Sequence, residues 1–188
     1  MTKMHEESRG FVETMRQLDQ AWPDQVHRVL AQAAVRQIAY VPDAGLTGVI
    51  DACQADDAMT AVSLTTEEEG VAMLAGAWLG GARGVLLMQS SGVGNCINML
   101  SLIRVCRFPL VAIVTMRGEE GETNPWQMPM GRNTRAAFEM AGVDVHRADA
   151  PGDVARLVAE AAHAAFSDCE ARAVLIGQGV VGVKQFED

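Results

Sequence analysis

Six short segments that are predicted as strands, most of them apolar, alternate with helical segments along the chain, and this alternation constrains the fold more than any other feature. Residues 84–89 form the most hydrophobic segment, and residues 110–115 are also almost entirely apolar. Such runs indicate strands that are buried on both faces, as in a parallel sheet. Strands separated by helices form βαβ units, which place helices against the sheet. We therefore predict an α/β fold: a three-layer, doubly wound domain with a six-stranded parallel sheet and helices on both faces.

The predicted elements follow one another with short connections, apart from one long loop. The strands are expected at residues 37–41, 59–64, 84–89, 110–115, 144–147 (an edge strand) and 172–177. The helices are expected at residues 24–35, 46–55, 66–81, 93–106, 134–141 and 151–168. Residues 116–133 contain three glycines and two prolines and are interpreted as a long loop that is functional or mobile. We divide the chain into a polar N-terminal extension, residues 1–22, and one domain, residues 23–188.

Composition and charge exclude several classes of function. The 188-residue chain has a net charge of −9, which argues against nucleic acids and anionic membranes as partners. No apolar run reaches the ~20 residues that a membrane span needs, and the N-terminus lacks the apolar core of a signal peptide. The four cysteines form no CxxC pair and have no nearby histidines, so they are interpreted as buried free thiols. We therefore expect a cytoplasmic protein.

Polar segments, two of which contain glycine, follow four of the predicted strands. They are Pro42-Asp43, residues 65–69, residues 90–95 and residues 116–132. In an open parallel sheet, ligands bind at the carboxyl ends of the strands. The alternation of elements therefore predicts a site at this edge of the sheet, although it does not identify the reaction.

Three consecutive glutamates open the helix expected at residues 66–81. Thr66 and Glu69 have the spacing of a capping box, and the helix dipole favours carboxylates in a first turn. The rest of this helix is apolar on most faces, so it is expected to be buried and to carry its first turn toward an interior or an interface. A carboxyl group in such a place holds its proton more readily and can share it with a ligand nitrogen. The residues alone leave two interpretations open, a well-capped helix or a catalytic carboxyl group.

Residues 68–76, with the sequence EEGVAMLAG, resemble the cofactor-activating segment of the pyrimidine-binding domain in thiamine-diphosphate enzymes. Further matches follow in the expected order: Val41-Pro42-Asp43, residues 89–95 (QSSGVGN), Arg117-Gly118-Glu119 and residues 127–131 (QMPMG). The ordered set covers residues 24–180 and is far more specific than any single motif. Within the family it resembles the α subunits of sulfopyruvate decarboxylases and the N-terminal half of phosphonopyruvate decarboxylases.

The resemblance implies specific roles for residues at the predicted site. Glu68, by its Glu-x-Gly spacing, would hydrogen-bond N1′ of the aminopyrimidine ring, whereas Glu67 and Glu69 are interpreted as a dipole partner and a capping-box member. The implied cofactor contacts are Glu68, Pro42, Ser91 and Gly92. The implied substrate contacts are Asp43, Ser91, Asn95, Arg117 and Arg132. No metal ligand is assigned to this chain.

Several of these residues also have structural interpretations. Residues 90–95 are either an anion or carbonyl site or an ordinary capped turn. Asp43 lies either near the reacting carbon or in a turn that starts the next helix. Arg117 and Arg132 either bind a sulfonate, phosphonate or carboxylate, or are solvated surface residues. Trp126 is either a lid contact or an interface anchor.

Two departures from the family pattern bear on function. Met116 stands where the sulfopyruvate group usually has His, which puts the substrate in doubt. The chain also lacks the Gly-Asp-Gly and Asn-Asn motifs that bind the diphosphate and its metal.

The resemblance therefore implies an α subunit that forms an oligomer with a β subunit, which supplies the diphosphate-binding domain and Mg²⁺ for the shared thiamine diphosphate. The implied reaction converts anionic sulfopyruvate or phosphonopyruvate to the aldehyde and CO₂. The alternatives are another small 2-oxoacid as substrate, or a non-catalytic doubly wound binding domain.

Overall fold

The computed structural model describes residues 22–182, and its centre is a sheet in which all neighbouring strands are parallel. The strands are β1 (Val35–Tyr40), β2 (Thr60–Ser63), β3 (Arg83–Gln89), β4 (Leu110–Thr115), β5 (Asp144–Ala148) and β6 (Ala171–Ile176). Their order across the sheet is β2-β1-β3-β4-β6-β5. The predicted six-stranded parallel sheet is confirmed, as is the position of β5 at an edge.

Helices cover both faces of the sheet. They are α1 (Trp22–Gln32), α2 (Thr47–Gln54), α3 (Glu67–Leu79), α4 (Ser90–Cys96), α5 (Leu100–Cys106), α6 (Met128–Met140), α7 (Pro151–Asp168) and α8 (Gln178–Val181). Side chains from α1, α2 and α7 form one apolar cluster with the sheet, and side chains from α3 to α6 form a second cluster on the opposite face. The predicted three-layer, doubly wound architecture is confirmed.

The central strand β3 shows why its sequence is continuously apolar. Val85 and Leu87 belong to the first cluster, whereas Leu86 and Met88 belong to the second. All four side chains are fully buried. Because successive side chains of a strand point to opposite faces, a strand covered on both sides needs an apolar residue at every position.

The helix predicted at residues 93–106 is wrong as a single element. The chain forms α4 and α5, separated by a turn at residues 97–99. Around this turn the backbone hydrogen bonds span three residues instead of four. The N–H of Ser101 donates to the carbonyl oxygen of Asn98, and the N–H of Leu102 donates to that of Met99. No proline or glycine lies in the turn, so composition gives no sign of the break. The first of the two helices, α4, begins at Ser90, directly after the last residue of β3.

The loop predicted at residues 116–133 is wrong in its second half. A one-turn 3₁₀ helix, Pro125–Gln127, leads into α6, which begins at Met128. Proline is compatible with a first helical turn because the amide donor that it lacks has no partner there. Gly131 lies inside α6. The residue at this position must be glycine, because a Cβ there would clash with the carbonyl oxygen of Arg117. The true loop is therefore short.

Three further expectations concern the rest of the chain. Cys53 and Cys96 are buried as predicted, but Cys106 and Cys169 are exposed, because they lie at or just beyond helix ends where the chain turns over the surface. The predicted N-terminal extension lies almost wholly outside the described residues. Within residues 22–182, no helix combines the length and the apolar character required to cross a bilayer.

Candidate active site

A chain of hydrogen bonds joins the carboxyl ends of three adjacent strands, β1, β3 and β4. Asp43, just after β1, accepts a bond at Oδ1 from Nε2 of Gln89 (2.9 Å) and at Oδ2 from Oγ1 of Thr115 (2.7 Å). The backbone N–H of Gly45 also donates to Oδ2 at 3.1 Å. Ser91 in turn donates its hydroxyl to Oε1 of Gln89 at 2.9 Å. The structure thus brings the predicted residues Asp43 and Ser91 into one polar network.

The three glutamates of α3 lie in three different environments. Glu67 is buried, with only 7% of its surface exposed, and its Oε2 accepts a hydrogen bond from Nδ2 of Asn95 at 2.7 Å. Glu68 is half-buried, and its Oε2 accepts a hydrogen bond from the hydroxyl of Thr66. Glu69 is exposed. Helical geometry separates neighbouring side chains by about 100°, so only one of the three can face the interior fully.

The predicted capping box at the start of α3 is wrong in its partners. The carboxylate of Glu69 accepts from the backbone N–H of Thr65 at 3.0 Å, one residue before the predicted donor. The Thr66 side chain accepts no capping hydrogen bond, and its hydroxyl donates to Glu68. Thr66 therefore orients Glu68 rather than the helix end.

Gly92 and Asn95, predicted to contact cofactor and substrate, both contact Glu67. A Cβ at Gly92 would clash with the carboxyl group of Glu67, so α4 packs directly on this side chain. Burial, and then the nearby negative charges of Glu67 and Glu68, raise the pKa of the Cys96 thiol to about 12. Both carboxylates therefore lie close to the buried inner side of α4.

Arg117 already has a carboxylate partner within the chain, Glu122. Its guanidinium donates through Nε to Oε2 of Glu122 at 2.6 Å and through Nη2 to Oε1 at 2.8 Å. Both side chains are almost completely buried. The Glu122 hydrogen bonds raise the pKa of Arg117, and the same contact holds the pKa of Glu122 far below its usual range. That Arg117 binds the substrate anion stays a prediction. Two of the nitrogen atoms of its guanidinium, Nε and Nη2, already donate to Glu122.

The loop containing Glu122 is fixed to neighbouring elements at several points. Glu119 forms a bidentate ion pair with Arg147, with distances of 2.6 and 3.1 Å. The backbone N–H of Gln178 donates to Oε2 of Glu119 at 2.8 Å, and Nε2 of Gln178 donates to Oε2 of Glu122 at 3.0 Å. These contacts oppose the predicted mobility of this segment.

The described residues form concave surfaces at this edge of the domain. A cavity of about 70 Å³ is lined by Asp43, Ala44, Gly45, Thr115, Arg117, Val181 and Gly182. A larger groove of about 560 Å³ is lined by Ser91, Gly94, Asn95, Pro125, Trp126, Pro129 and Met130. Trp126 is 82% exposed. Pro42 and Arg132 are also exposed, and Arg132 makes no ion pair among the described residues.

The sequence analysis assigned no site role to Gln89, Thr115 or Glu122, and it gave Glu67 only a role at the helix dipole. Gln89 and Thr115 are the last residues of two buried strands. A polar residue at the end of an apolar strand is a usable signal for a site, because ligands bind there. Glu122 carries no such signal.

Comparisons with known proteins identify similar sequences. The family described as "Thiamine pyrophosphate enzyme, N-terminal TPP binding domain" matches residues 22–142. "Sulfopyruvate decarboxylase subunit alpha" of Methanococcus maripaludis is 33% identical over 72% of this chain and 82% of that protein. The protein of the same name from Methanothermobacter thermautotrophicus is 33% identical over 80% of this chain and 92% of its own length.

Two larger proteins are similar to this chain along part of their length. "Phosphonopyruvate decarboxylase" of Streptomyces viridochromogenes is 36% identical over 81% of this chain, which corresponds to 39% of that protein. The solved structure of a 2-oxoglutarate:ferredoxin oxidoreductase from Magnetococcus marinus superposes with a TM-score of 0.66 and 13% identity. The superposition covers 85% of this chain and 29% of the oxidoreductase chain, and it supports the fold assignment alone.

Proposed function

The chain belongs to the thiamine pyrophosphate enzymes, whose N-terminal TPP-binding domain it carries, and we propose that it is the α subunit of a 2-oxoacid decarboxylase. The relatives named as α subunits support the subunit assignment. We propose sulfopyruvate or phosphonopyruvate as the substrate. The substrate takes up one proton, loses its carboxyl group as CO₂ and leaves the corresponding aldehyde.

The accessibility of Glu68 is the observation that carries this proposal. When bound, thiamine diphosphate supplies the nucleophilic carbon that attacks the keto group and takes up the electron pair released with CO₂. Glu68 would hold a proton at N1′ of the aminopyrimidine ring. The half-buried carboxyl group is oriented by Thr66 and is not used to cap the helix, so it is suited to meet a ring nitrogen. The neighbouring Glu67 is more deeply buried and accepts a hydrogen bond from Asn95.

A separate β subunit is proposed for the other half of the cofactor site. Among residues 22–182, no three His, Cys, Asp or Glu side chains lie together as a metal site would require. The sequence also has no Gly-Asp-Gly motif. We assign the diphosphate-binding domain and Mg²⁺ to the β subunit, with the two subunits sharing thiamine diphosphate in an oligomer.

The isolated chain is expected to bind thiamine diphosphate poorly. It would lack the contacts to the diphosphate and to its metal ion. The loss of two charge-assisted contacts, at ~1.5–3 kcal/mol each, corresponds to an affinity at least ~100-fold weaker than that of the complex. Isothermal titration calorimetry with Mg²⁺ present checks this on the isolated chain and on the reconstituted complex. Tight, Mg²⁺-dependent binding by the isolated chain would contradict the division of the site between two subunits.

Arg132 is the better of the two proposed contacts for the distal anion of the substrate. It is exposed on α6 and makes no ion pair among residues 22–182, whereas Arg117 is engaged by Glu122. Met116, where the sulfopyruvate group usually has His, is buried in the apolar cluster and supplies no titratable group. Substrate selection would therefore depend on arginine.

Arg132→Ala is expected to raise KM for a sulfonate or phosphonate substrate about 10- to 100-fold, because a charge-assisted hydrogen bond contributes ~1.5–3 kcal/mol. KM for pyruvate should change little, since pyruvate has no distal anion. Arg156→Ala is the matched control, because Arg156 is an exposed arginine on a helix of the opposite face. Equal losses for all substrates would give Arg132 a role in structure or assembly instead.

A panel of 2-oxoacids tests the substrate proposal most simply. The reconstituted complex should show its highest kcat/KM with sulfopyruvate or phosphonopyruvate. A preference for pyruvate or another uncharged-tail 2-oxoacid would support the alternative decarboxylase. Absence of turnover with every member of the panel would favour a non-catalytic binding domain.

A further inference from the structure

A cavity of about 560 Å³ lies at the amino edge of the sheet, opposite to the proposed active site. It is formed where β4, β5 and β6 begin and where α5, α6 and α7 end. Its volume falls within the ~300–1,000 Å³ that small-molecule sites usually have. The six residues of β4, at about 3.3 Å each, place it roughly 20 Å from the carboxyl edge. The proposed reaction therefore makes no use of this cavity.

Three arginines line the cavity, and two of them have no partner that the structure describes. Arg172 donates through Nε to Glu170 at 2.9 Å and also pairs with Asp144. Arg104 and Arg107, by contrast, make no ion pair or hydrogen bond through their side chains in the described part of the chain. The dipole of α5 favours positive charge at its end but occupies none of their N–H groups. Both guanidinium groups can therefore bind an anion.

Arg104 extends along the wall of the cavity from α5 toward the end of α6. Its Nη1 lies 3.8 Å from the position that a Cβ on Gly142 would have. Gly142 follows α6 and lines the same cavity. The Arg104 side chain thus follows the cavity wall.

Two residues that line the cavity have a backbone conformation that favours glycine. Arg107, after α5, has a φ of 56°, and Cys169, after α7, has a φ of 55°. Ala34 is the only other non-glycine residue with a positive φ among those described. Glycine is the usual residue at such a helix end, but it would leave position 107 without a guanidinium. Because strained residues of this kind cluster at ligand sites, the conformation of Arg107 supports a binding role.

The cavity also presents hydrogen-bond acceptors and an aromatic ring. Asp168 lies on its wall and makes no ion pair with any other described residue. The negative ends of three helix dipoles also meet there. These groups would repel a bare inorganic anion, so the ligand needs hydrogen-bond donors beside its anionic group. Phe108 is half-buried, and a planar ring can stack on its remaining exposed surface.

We propose that this cavity is a binding site for a small organic phosphate of the nucleotide type. Arg104 and Arg107 bind the phosphate, and the base stacks on Phe108. Asp168 accepts hydrogen bonds from the hydroxyl or amino groups of the ligand. The site is separate from the proposed decarboxylation and does not rest on it.

Isothermal titration calorimetry of the full chain with adenosine 5′-monophosphate (AMP) tests the proposal. The titration is made in ~0.15 M salt, where long-range attraction between exposed charges is screened. AMP is expected to bind with a Kd below ~1 mM. Adenosine lacks the anion, and inorganic phosphate lacks the ring and the donors, so each should bind at least about 10-fold more weakly. Equal affinity for inorganic phosphate would overturn the nucleotide assignment.

Arg104→Ala and Arg107→Gly should each weaken AMP binding about 10- to 100-fold, since each removes a charge-assisted hydrogen bond. Both variants are expected to fold, because Arg104 is exposed and glycine readily adopts the φ of position 107. Arg28→Ala is the matched control, because Arg28 is exposed on α1, on the opposite face of the sheet from α5, and has no described partner. Undiminished binding by both cavity variants would place AMP elsewhere and overturn the proposal.

Cys169 reports whether the ligand occupies this cavity. Its exposed thiol lines the cavity, whereas the thiol of Cys106 is exposed but does not line it. AMP should slow the alkylation of Cys169 by iodoacetamide, measured by peptide mass spectrometry, and should leave the rate at Cys106 nearly unchanged. Absence of AMP binding at ~1 mM would contradict the proposal. An unchanged alkylation rate at Cys169 with AMP bound would contradict it as well.

Discussion

Glu68→Gln is expected to reduce kcat of the assembled enzyme by about 10²–10⁴-fold, the range for loss of a principal proton-transfer group. Glutamine has nearly the same shape and still accepts the hydrogen bond from Thr66, but it has no carboxyl proton for the ring nitrogen. Fold and assembly should therefore be unchanged. Steady-state kinetics on the complex, with assembly checked by size-exclusion chromatography, measure the effect.

Glu69→Gln is the matched control for this result. Its side chain is exposed and accepts a backbone hydrogen bond from Thr65, which glutamine can also accept. Its kcat should stay within about twofold of the parent enzyme, since surface substitutions usually cost less than ~0.5 kcal/mol. If Glu68→Gln turns over at a near-normal rate in a fully assembled complex, Glu68 is not the activating carboxyl group.

Glu122→Gln is expected to lower the free energy of unfolding of the chain by about 3 kcal/mol. The substitution removes one partner of a buried ion pair and leaves the Arg117 guanidinium uncompensated, which is strongly destabilising. Urea denaturation at neutral pH measures the loss. Glu160→Gln breaks an exposed pair with Arg156 and should cost less than ~0.5 kcal/mol. Equal losses in the free energy of unfolding of the two variants would show that the buried ion pair stabilises the chain no more than the exposed pair does.

The pH dependence of stability gives the same pair a second signature. Arg117 holds the folded-state pKa of Glu122 far below its usual range. The resulting stabilisation is therefore complete above the unfolded-state pKa of ~4.3 and is lost as the pH falls toward the folded-state value. The parent chain should lose stability below about pH 4, and Glu122→Gln should lose correspondingly less. Parallel curves for the two proteins would contradict this assignment.

Local sequence patterns predicted the sheet well because its central strands are apolar at almost every position. Residues 110–115 were predicted with the observed bounds, since a strand buried on both faces has no polar position. The loop at residues 116–133 was predicted poorly, because Pro129 and Gly131 are helix breakers in isolation. In the folded chain Pro129 lies in a first turn, and Gly131 is required by a backbone contact that no local pattern reveals.

The sequence predicted where the site lies, at the carboxyl edge of the sheet, but it did not predict which residues contact one another there. Asp43 pairs with residues 46 and 72 positions further along the chain, Gln89 and Thr115. Sequence predicts that all three lie at the carboxyl edge, but it does not predict the strand order that makes β1, β3 and β4 neighbours. Burial of Glu67 was predictable, because it precedes the buried Val71 and Leu74 by four and seven positions.

The most direct test of the account is a subunit-omission assay for CO₂ release. The chain, a β subunit that carries Gly-Asp-Gly, thiamine diphosphate and Mg²⁺ are mixed with sulfopyruvate or phosphonopyruvate, and each component is then left out in turn. The account predicts CO₂ and the aldehyde in equal amounts from the full mixture, and none above background when either subunit or the cofactor is missing. Undiminished CO₂ release without this chain would contradict the proposal that its Glu68 completes the site.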